Sequence, residues 1–463
     1  MLPDDVLLEI FDFYVDKDTG ASEDFKRIES WITLAHVCRC WRSIVFQSPR
    51  RLNLRLLCTT KTRTRDTLDI WPPFPLVIYQ TNCHCISCSD SIIAALGRND
   101  RVRQIQIEWS KYGYTTKSAA MQKPFPELTH LRLSTTSGLR IPDSFLGGTA
   151  PRLRSLELDG VLFPELLKLL LSATHLVKLD LLNIPCSACI PPKAMATTLS
   201  ALTNLESLRL EFPYPRPRLS LVENRRPPPP PLTRLILPSL TEIRFKGTSE
   251  YLEEILARID TPQLNKMHIY FSNQTKFHTP QLLQFISQNP TLRTPEKGHI
   301  AFTDKAIIVK FPSRTSEYDA LGVRIECSAE LQLSSLEQVC TSSLPPFFTL
   351  EDLYIFVDRV HPPHWQDDIE KTLWLELLRP FTTVKNLYLC ENIVPRIAPA
   401  LQELVGARTT EAFPTLENIF MEGFQSSGPL HGIEKFVAAR RPTSHHPVAV
   451  SCWDRDRKEI RYI

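Results

Sequence analysis

One apolar pattern recurs along most of this chain: an apolar residue, two others, a second apolar residue, one other, and a third. It occurs at Val102-Ile105-Ile107, Leu128-Leu131-Leu133, Leu153-Leu156-Leu158, Leu176-Leu179-Leu181 and Leu205-Leu208-Leu210. It continues at Leu240-Ile243-Phe245 and Leu264-Met267-Ile269, then returns at Leu350-Leu353-Ile355, Val384-Leu387-Leu389 and Leu416-Ile419-Met421. Most early neighbours are about 23 to 35 residues apart, a period that signals stacked repeats. The last two apolar positions alternate with polar ones, as in His130-Leu131-Arg132-Leu133, which is the period of a strand with one face in the core. Helix-like segments lie between, at 90–98, 163–171, 194–202, 251–259 and 280–288. The alternation predicts an irregular α/β solenoid with parallel strands and helices outside. Residues 292–346 break the pattern and carry extended runs at 299–311 and 321–327, so extra strands are expected there.

The first fifty residues read differently. Pro3 suits a first helical position, and Asp4 and Asp5 favour the positive end of a helix. Val6, Leu7, Ile10, Phe11 and Tyr14 follow at helical spacing, while Leu8 and Phe13 fall on other faces. A second helix is predicted over 31–46, about 24 Å long. Its inward stripe is Leu34, Val37, Cys38, Trp41, Ile44 and Val45, and Pro49 marks its end. Two short helices this apolar need cover from the rest of the chain or from another protein.

The strings Leu2-Pro3-Asp4-Asp5-Val6-Leu7-Leu8-Glu9-Ile10-Phe11 and Leu34-Ala35-His36-Val37-Cys38-Arg39-Cys40-Trp41-Arg42 resemble the F-box. They share its Leu-Pro opening, apolar first helix and later Val-Cys-Arg-x-Trp block, in that order. The resemblance implies an all-α domain over 1–48 that binds a Skp-type adaptor and through it a cullin. It places Leu2, Pro3, Val6, Leu7, Ile10 and Phe11 at the adaptor interface. Leu34, Val37 and Trp41 join them from the second segment, with Trp41 mostly holding the helices together. Residues 15–30 form a charged insert longer than a minimal F-box has, which loop entropy tolerates.

Behind a linker and first elements over 49–100, the units of 101–463 resemble leucine-rich repeats. They depart from that consensus where an Asn is expected three residues after the last leucine. Thr136, Val161, Ile184 and Pro213 stand there, and Asn392 alone fits. The segments Ser48-Pro49-Arg50-Arg51-Leu52-Asn53-Leu54 and Trp71-Pro72-Pro73-Phe74-Pro75-Leu76-Val77-Ile78 look like those of the large F-box families of mushroom-forming fungi.

Composition narrows the classes. Apolar residues at 43% and charged residues at 23% fit a folded soluble protein. With 14 Gly and 38 Pro, short elements between Pro-marked loops are expected rather than a Gly-turn sandwich. A net charge of +3 gives no global field toward nucleic acid or membrane. The basic run Arg39, Arg42, Arg50, Arg51, Arg55, Lys61, Arg63 and Arg65 reads as a solvated helix end and loop rather than a phosphate site. No apolar run reaches the roughly 18 residues of a membrane helix, and Asp4, Asp5, Glu9 and Asp12 do not suit a signal peptide. The 12 cysteines, several inside apolar patterns, point to free thiols in cytoplasm or nucleus.

Cys83, Cys85 and Cys88, with Cys186 and Cys189, are the best metal candidates, because zinc favours closely spaced cysteines. The clusters lie far apart and irregularly spaced, so coincidence in loops is the better reading and no metal is expected. Arg225-Arg226 before Pro227 to Pro231 has the composition of an SH3-type ligand and reads as a stiff surface loop. No G-x-S-x-G, phosphate-binding glycine loop or H-E-x-x-H is present, so neither catalysis nor a cofactor is expected.

The expected role is therefore that of a ubiquitin-ligase substrate receptor. Its target would meet the outward residues of the strands: Arg132, Glu157, Asp180, Arg209, Arg244, His268, Tyr354, Tyr388 and Phe420. Mixed charge with later aromatics suits a protein better than a nucleic acid. The alternative is a repeat scaffold whose N-terminal helices merely cap the array.

Overall fold

The computed structural model describes residues 2–15, 28–61, 64–80, 88–109, 114–136, 138–185, 190–212, 234–272, 274, 276–313, 319–344, 349–365, 371–403, 412–422, 430–440, 448–454 and 459–462. The chain divides into two compact units, residues 1–190 with 197–207 and residues 191–196 with 208–463.

The first unit opens with α1 (Asp4–Tyr14), α2 (Ser30–Val37) and α3 (Arg39–Gln47). Then come β1 (Leu56–Thr59), α4 (Thr64–Ile70), β2 (Leu76–Gln80), α5 (Cys88–Leu96), β3 (Val102–Trp109), α6 (Tyr114–Ala120), β4 (His130–Thr135), β5 (Ser155–Asp159), α7 (Leu166–Ser172) and β6 (Lys178–Leu182). Strands β1 to β6 pair in chain order, all parallel. The triplet leucines and isoleucines of β3 to β6 are buried as their spacing predicts, each contributing about 2 kcal/mol.

The expected helix over 31–46 is in fact two. Cys38 is extended (φ −158°, ψ 171°) and its Sγ accepts the Trp41 N–H at 3.4 Å, capping α3. Arg42 reaches back, its Nε donating to the Ala35 carbonyl at 2.9 Å and satisfying the end of α2.

At the division fall α8 (Pro192–Ser200) and β7 (Ser207–Glu211). The second unit continues with β8 (Leu235–Ile236), β9 (Glu242–Gly247), α9 (Ser249–Leu256), β10 (Ile259–Asp260), β11 (Lys266–Ser272), α10 (Pro280–Gln288), β12 (Lys297–Phe302), β13 (Ala306–Pro312) and β14 (Asp319–Glu326). After α11 (Gln332–Ser342) come β15 (Asp352–Val357), α12 (Lys371–Leu378), β16 (Asn386–Leu389), α13 (Val394–Glu403), β17 (Asn418–Glu422), α14 (Leu430–Arg440), β18 (Ala449–Asp454) and β19 (Glu459–Tyr462).

The strand pairings in this unit give the order β9-β11-β14-β13-β12-β15-β16-β17-β18-β19. The irregular interval thus does hold extra strands. There β13 runs antiparallel to β12 and β14, while β14 pairs parallel with β11 and β12 with β15. All ten triplets lead into strands, and the segment at 280–288 is α10 to the residue. The result is a leucine-rich-repeat-like α/β fold with one inserted meander.

Candidate protein-binding surfaces

α1 is apolar on two sides, and the structure separates them. Leu7 and Phe11 turn inward, with the Phe11 ring 4.8 Å from that of Trp41. Leu2, Val6, Ile10, Phe13 and Tyr14 stay exposed at 54%, 40%, 46%, 88% and 51%, which makes a contiguous apolar face. Pro3 and Val37 are exposed too, Leu34 is buried and Trp41 is half-buried. Of the nine residues expected at an adaptor interface, Leu7, Phe11 and Leu34 therefore belong to the interior of the chain.

These helices are fixed to the first strands. Trp31 is fully buried, donates from Nε1 to the Arg55 carbonyl at 2.9 Å and meets Trp71 and Phe74 edge-on at 5.2 and 5.3 Å. Glu29 accepts the Leu57 N–H at 3.1 Å. Burial pushes its carboxyl above the ordinary range despite that bond. Arg51 ties α1 down through Asp12 at 2.9 Å and Glu9 at 2.5 Å.

In the first unit the strand face opposite the core is largely self-paired. Arg132 meets Glu157 at 3.1 Å and Lys178 meets Asp180 at 3.0 Å. Burial pushes the Glu157 carboxyl up, against the pull of Arg132. Asp180 is only 4% exposed, so its neighbours rather than a partner occupy it.

In the second unit, Arg209 pairs with Glu211 and Arg244 with Glu242, each at 2.6 Å. His268 lies over Gly322, where a Cβ would meet its Nδ1 at 2.8 Å. Burial and then Arg244 hold the imidazole below its ordinary pKa. Further along, rings stack across consecutive strands: Tyr354 on Tyr388 at 4.1 Å and Tyr388 on Phe420 at 4.5 Å, with Trp453 5.3 Å from Tyr388. Tyr388, Phe420 and Trp453 form a buried cluster, which leaves Tyr354 and His299, 4.7 Å apart, as its reachable end. Beside the rings, Asn386 donates to Asp352 at 2.7 Å and Asn418 to Asn386 at 2.8 Å.

Residues that the sequence reading missed sit here too: Lys246, Tyr270, Lys310 and Arg324. The first two lie two positions beyond named residues on β9 and β11, so the same alternation reaches them. Lys310 and Arg324 lie where the repeat pattern fails.

Cys83, Cys85, Cys186 and Cys189 lie outside the described residues, as does the proline run at 227–231; Cys88 opens α5. Among the described residues no group of three or more potential metal ligands assembles. Cys58, Cys327 and Cys340 are buried free thiols, pushed up to about 12, 11 and 12 by burial. No described helix is long and apolar enough to cross a membrane.

A helical N-terminus with an exposed apolar face, followed by leucine-rich-repeat-like units, defines a protein-interaction architecture. Residues 1–55 match the F-box-like family. A search of the curated proteins returns no match. Among solved structures, a leucine-rich repeat-containing protein of Legionella pneumophila, LegL7, is similar at 15% identity. The alignment covers 75% of this chain and 92% of that one, with a TM-score of 0.27. The repeat architecture described above rests on the strand pairings alone.

Proposed function

We propose that this chain is the substrate-receptor subunit of a Skp–cullin–F-box ubiquitin ligase, a member of the F-box families of mushroom-forming fungi acting in cytoplasm or nucleus. The N-terminal helices hold the Skp-type adaptor and through it the cullin, while the strand faces hold a target protein. Rate comes from proximity, because a bound target raises the effective concentration of its lysines near the charged ubiquitin carrier. No residue of this chain performs covalent chemistry in that scheme.

The observation that carries the reading is the exposed apolar row of Leu2, just before α1, and Val6, Ile10 and Phe13 on it, within the F-box-like segment. Its test is co-purification of the full chain with a Skp-type adaptor of the same organism, beside Val6→Asp and Ile10→Asp. Leu7→Asp is unsuitable, since a buried carboxylate at that position disrupts the helices themselves. A carboxylate in the interface costs about 3 kcal/mol or more, roughly 100-fold in affinity. Wild type retaining adaptor while both folded variants lose it supports the receptor.

A folded wild type that binds no adaptor sinks this reading and leaves the capped scaffold. The cluster of Trp31, Phe46, Trp71 and Phe74 favours that second reading, since it seals the helices onto the first strands.

A further inference from the structure

Strands β9, β11, β14, β13 and β12 are adjacent in the second unit, and their registers define which residues share the face away from the core. Arg244 and Lys246, Lys266, Arg324, Lys310 and Lys297 stand on that face. Among the described residues four carboxylates accompany these six cations: Glu242, Asp319, Glu326 and, on the adjoining β15, Asp352. Three are held by Arg244, Lys310 and Lys297, at 2.6, 3.0 and 3.7 Å, and Glu326 accepts from Tyr270.

At the centre, Lys246, Tyr270 and Arg324 occupy one register across three consecutive strands. Lys246 Nζ lies 4.8 Å and the Arg324 guanidinium 5.3 Å from the centre of the Tyr270 ring. The Arg324 Nε is buried and has no hydrogen-bond partner among the described residues. The same guanidinium already hydrogen-bonds the Tyr270 hydroxyl, and two like charges flanking one ring repel, so an incoming carboxylate at their outer ends offsets that repulsion. At its far edge the face continues into the half-buried rings of His299 and Tyr354.

We propose that this face docks an acidic peptide segment of a partner protein, with carboxylates between Lys246 and Arg324 and an apolar side chain on the His299–Tyr354 rings. Interspersed Glu242, Asp319, Glu326 and Asp352 disfavour a uniform polyanion, so a peptide of mixed carboxylate and apolar residues fits better than a nucleic acid. The proposal deepens the receptor reading by giving the target's chemistry. It needs no adaptor, so the two fail separately.

The test is fluorescence anisotropy of the full chain with three labelled probes: a peptide alternating Glu and Leu, its Lys–Leu counterpart, and a single-stranded oligonucleotide of equal charge. The Glu–Leu peptide is expected to bind best, and to weaken about tenfold or more when salt rises from about 0.05 to about 0.5 M. Lys246→Glu with Arg324→Glu is expected to weaken it by a further factor of about ten or more, while Arg98→Glu in the first unit leaves it unchanged. Should the double reversal unfold the chain, Lys246→Gln with Arg324→Gln reports instead, with a smaller loss. Equal binding of the two peptides, no binding of the acidic one, tighter binding of the oligonucleotide, or indifference to the substitutions in folded protein overturns the proposal.

Discussion

Gly160 has little freedom to change. It follows β5 with φ +68°, its N–H donates to the Leu182 carbonyl at 2.9 Å, and a Cβ there would collide with the Thr135 carbonyl oxygen. That obstacle is backbone of a neighbouring strand, so it cannot swing aside. Gly160→Ala is expected to destabilise the chain by about 3 kcal/mol, from left-handed strain and the collision together, read as a lower urea midpoint.

Glu29 presents the opposite situation, a residue that is costly as it stands. Its folded pKa is raised by burial, so its contribution to stability is present below the unfolded value of 4.5 and is lost as pH rises through the folded pKa. Glu29→Gln keeps an oxygen for the Leu57 N–H and removes the charge. The variant is expected to match wild type at low pH and to become the more stable of the two as pH rises above about 4.5, measured by denaturation across pH. An unchanged gap at all pH values contradicts this. Such residues were invisible in the sequence, where the insert around Glu29 reads only as charged. Leu7 and Phe11 were half visible: spacing placed them on the α1 stripe, but a short helix apolar all round does not say which side faces its own chain.

At the level of elements, the repeats lack the regular asparagines that would satisfy backbone groups between turns, and threonines take part of that work. Thr349, Thr383 and Thr415 each immediately precede the first apolar residue of a repeat. Their Oγ1 atoms donate to the carbonyls of Pro295, Leu350 and Val384 at 2.8, 3.0 and 3.1 Å, linking consecutive repeats. Thr383→Val keeps the shape and deletes the bond, and is expected to cost about 1 kcal/mol. Hydrogen exchange should show the loss around β15 and β16; a variant as stable and protected as wild type removes the threonine bridge from the account.

The strands themselves were legible because alternation inside a core leaves an unmistakable period, and ten triplets sufficed to place ten strands. Sheet order was not legible where β13 reverses direction and β14, not β12, pairs with β11. Which strand pairs with which depends on non-local contacts, and no local pattern encodes it. The break at Cys38 was hidden because the thiol cap on α3 and the Arg42 bond to the Ala35 carbonyl at the end of α2 are side-chain contacts that apolar spacing does not record.

Across the whole molecule, a net charge of +3 conceals two differently charged strand faces. On β3 to β6, Arg132 and Lys178 stand against Glu108, Glu157, Asp159 and Asp180; on β9 to β14, cations outnumber carboxylates. Counting charges along the sequence averages these away, which is why the acidic partner was not legible there, whereas the F-box-like helices were, through two short ordered motifs. The two proposed surfaces lie in different units and share no residue. Their binding energies are therefore expected to add, with a coupling within about 0.5 kcal/mol. Val6→Asp should abolish adaptor binding and leave acidic-peptide affinity as in wild type. Lys246→Glu with Arg324→Glu should do the reverse, and adaptor saturation should shift peptide affinity by less than about threefold. Titrating peptide with and without saturating adaptor measures this directly. A shift of tenfold or more would mean that adaptor binding is felt at the strand face, and a receptor regulated by its own ligase would replace the passive tether.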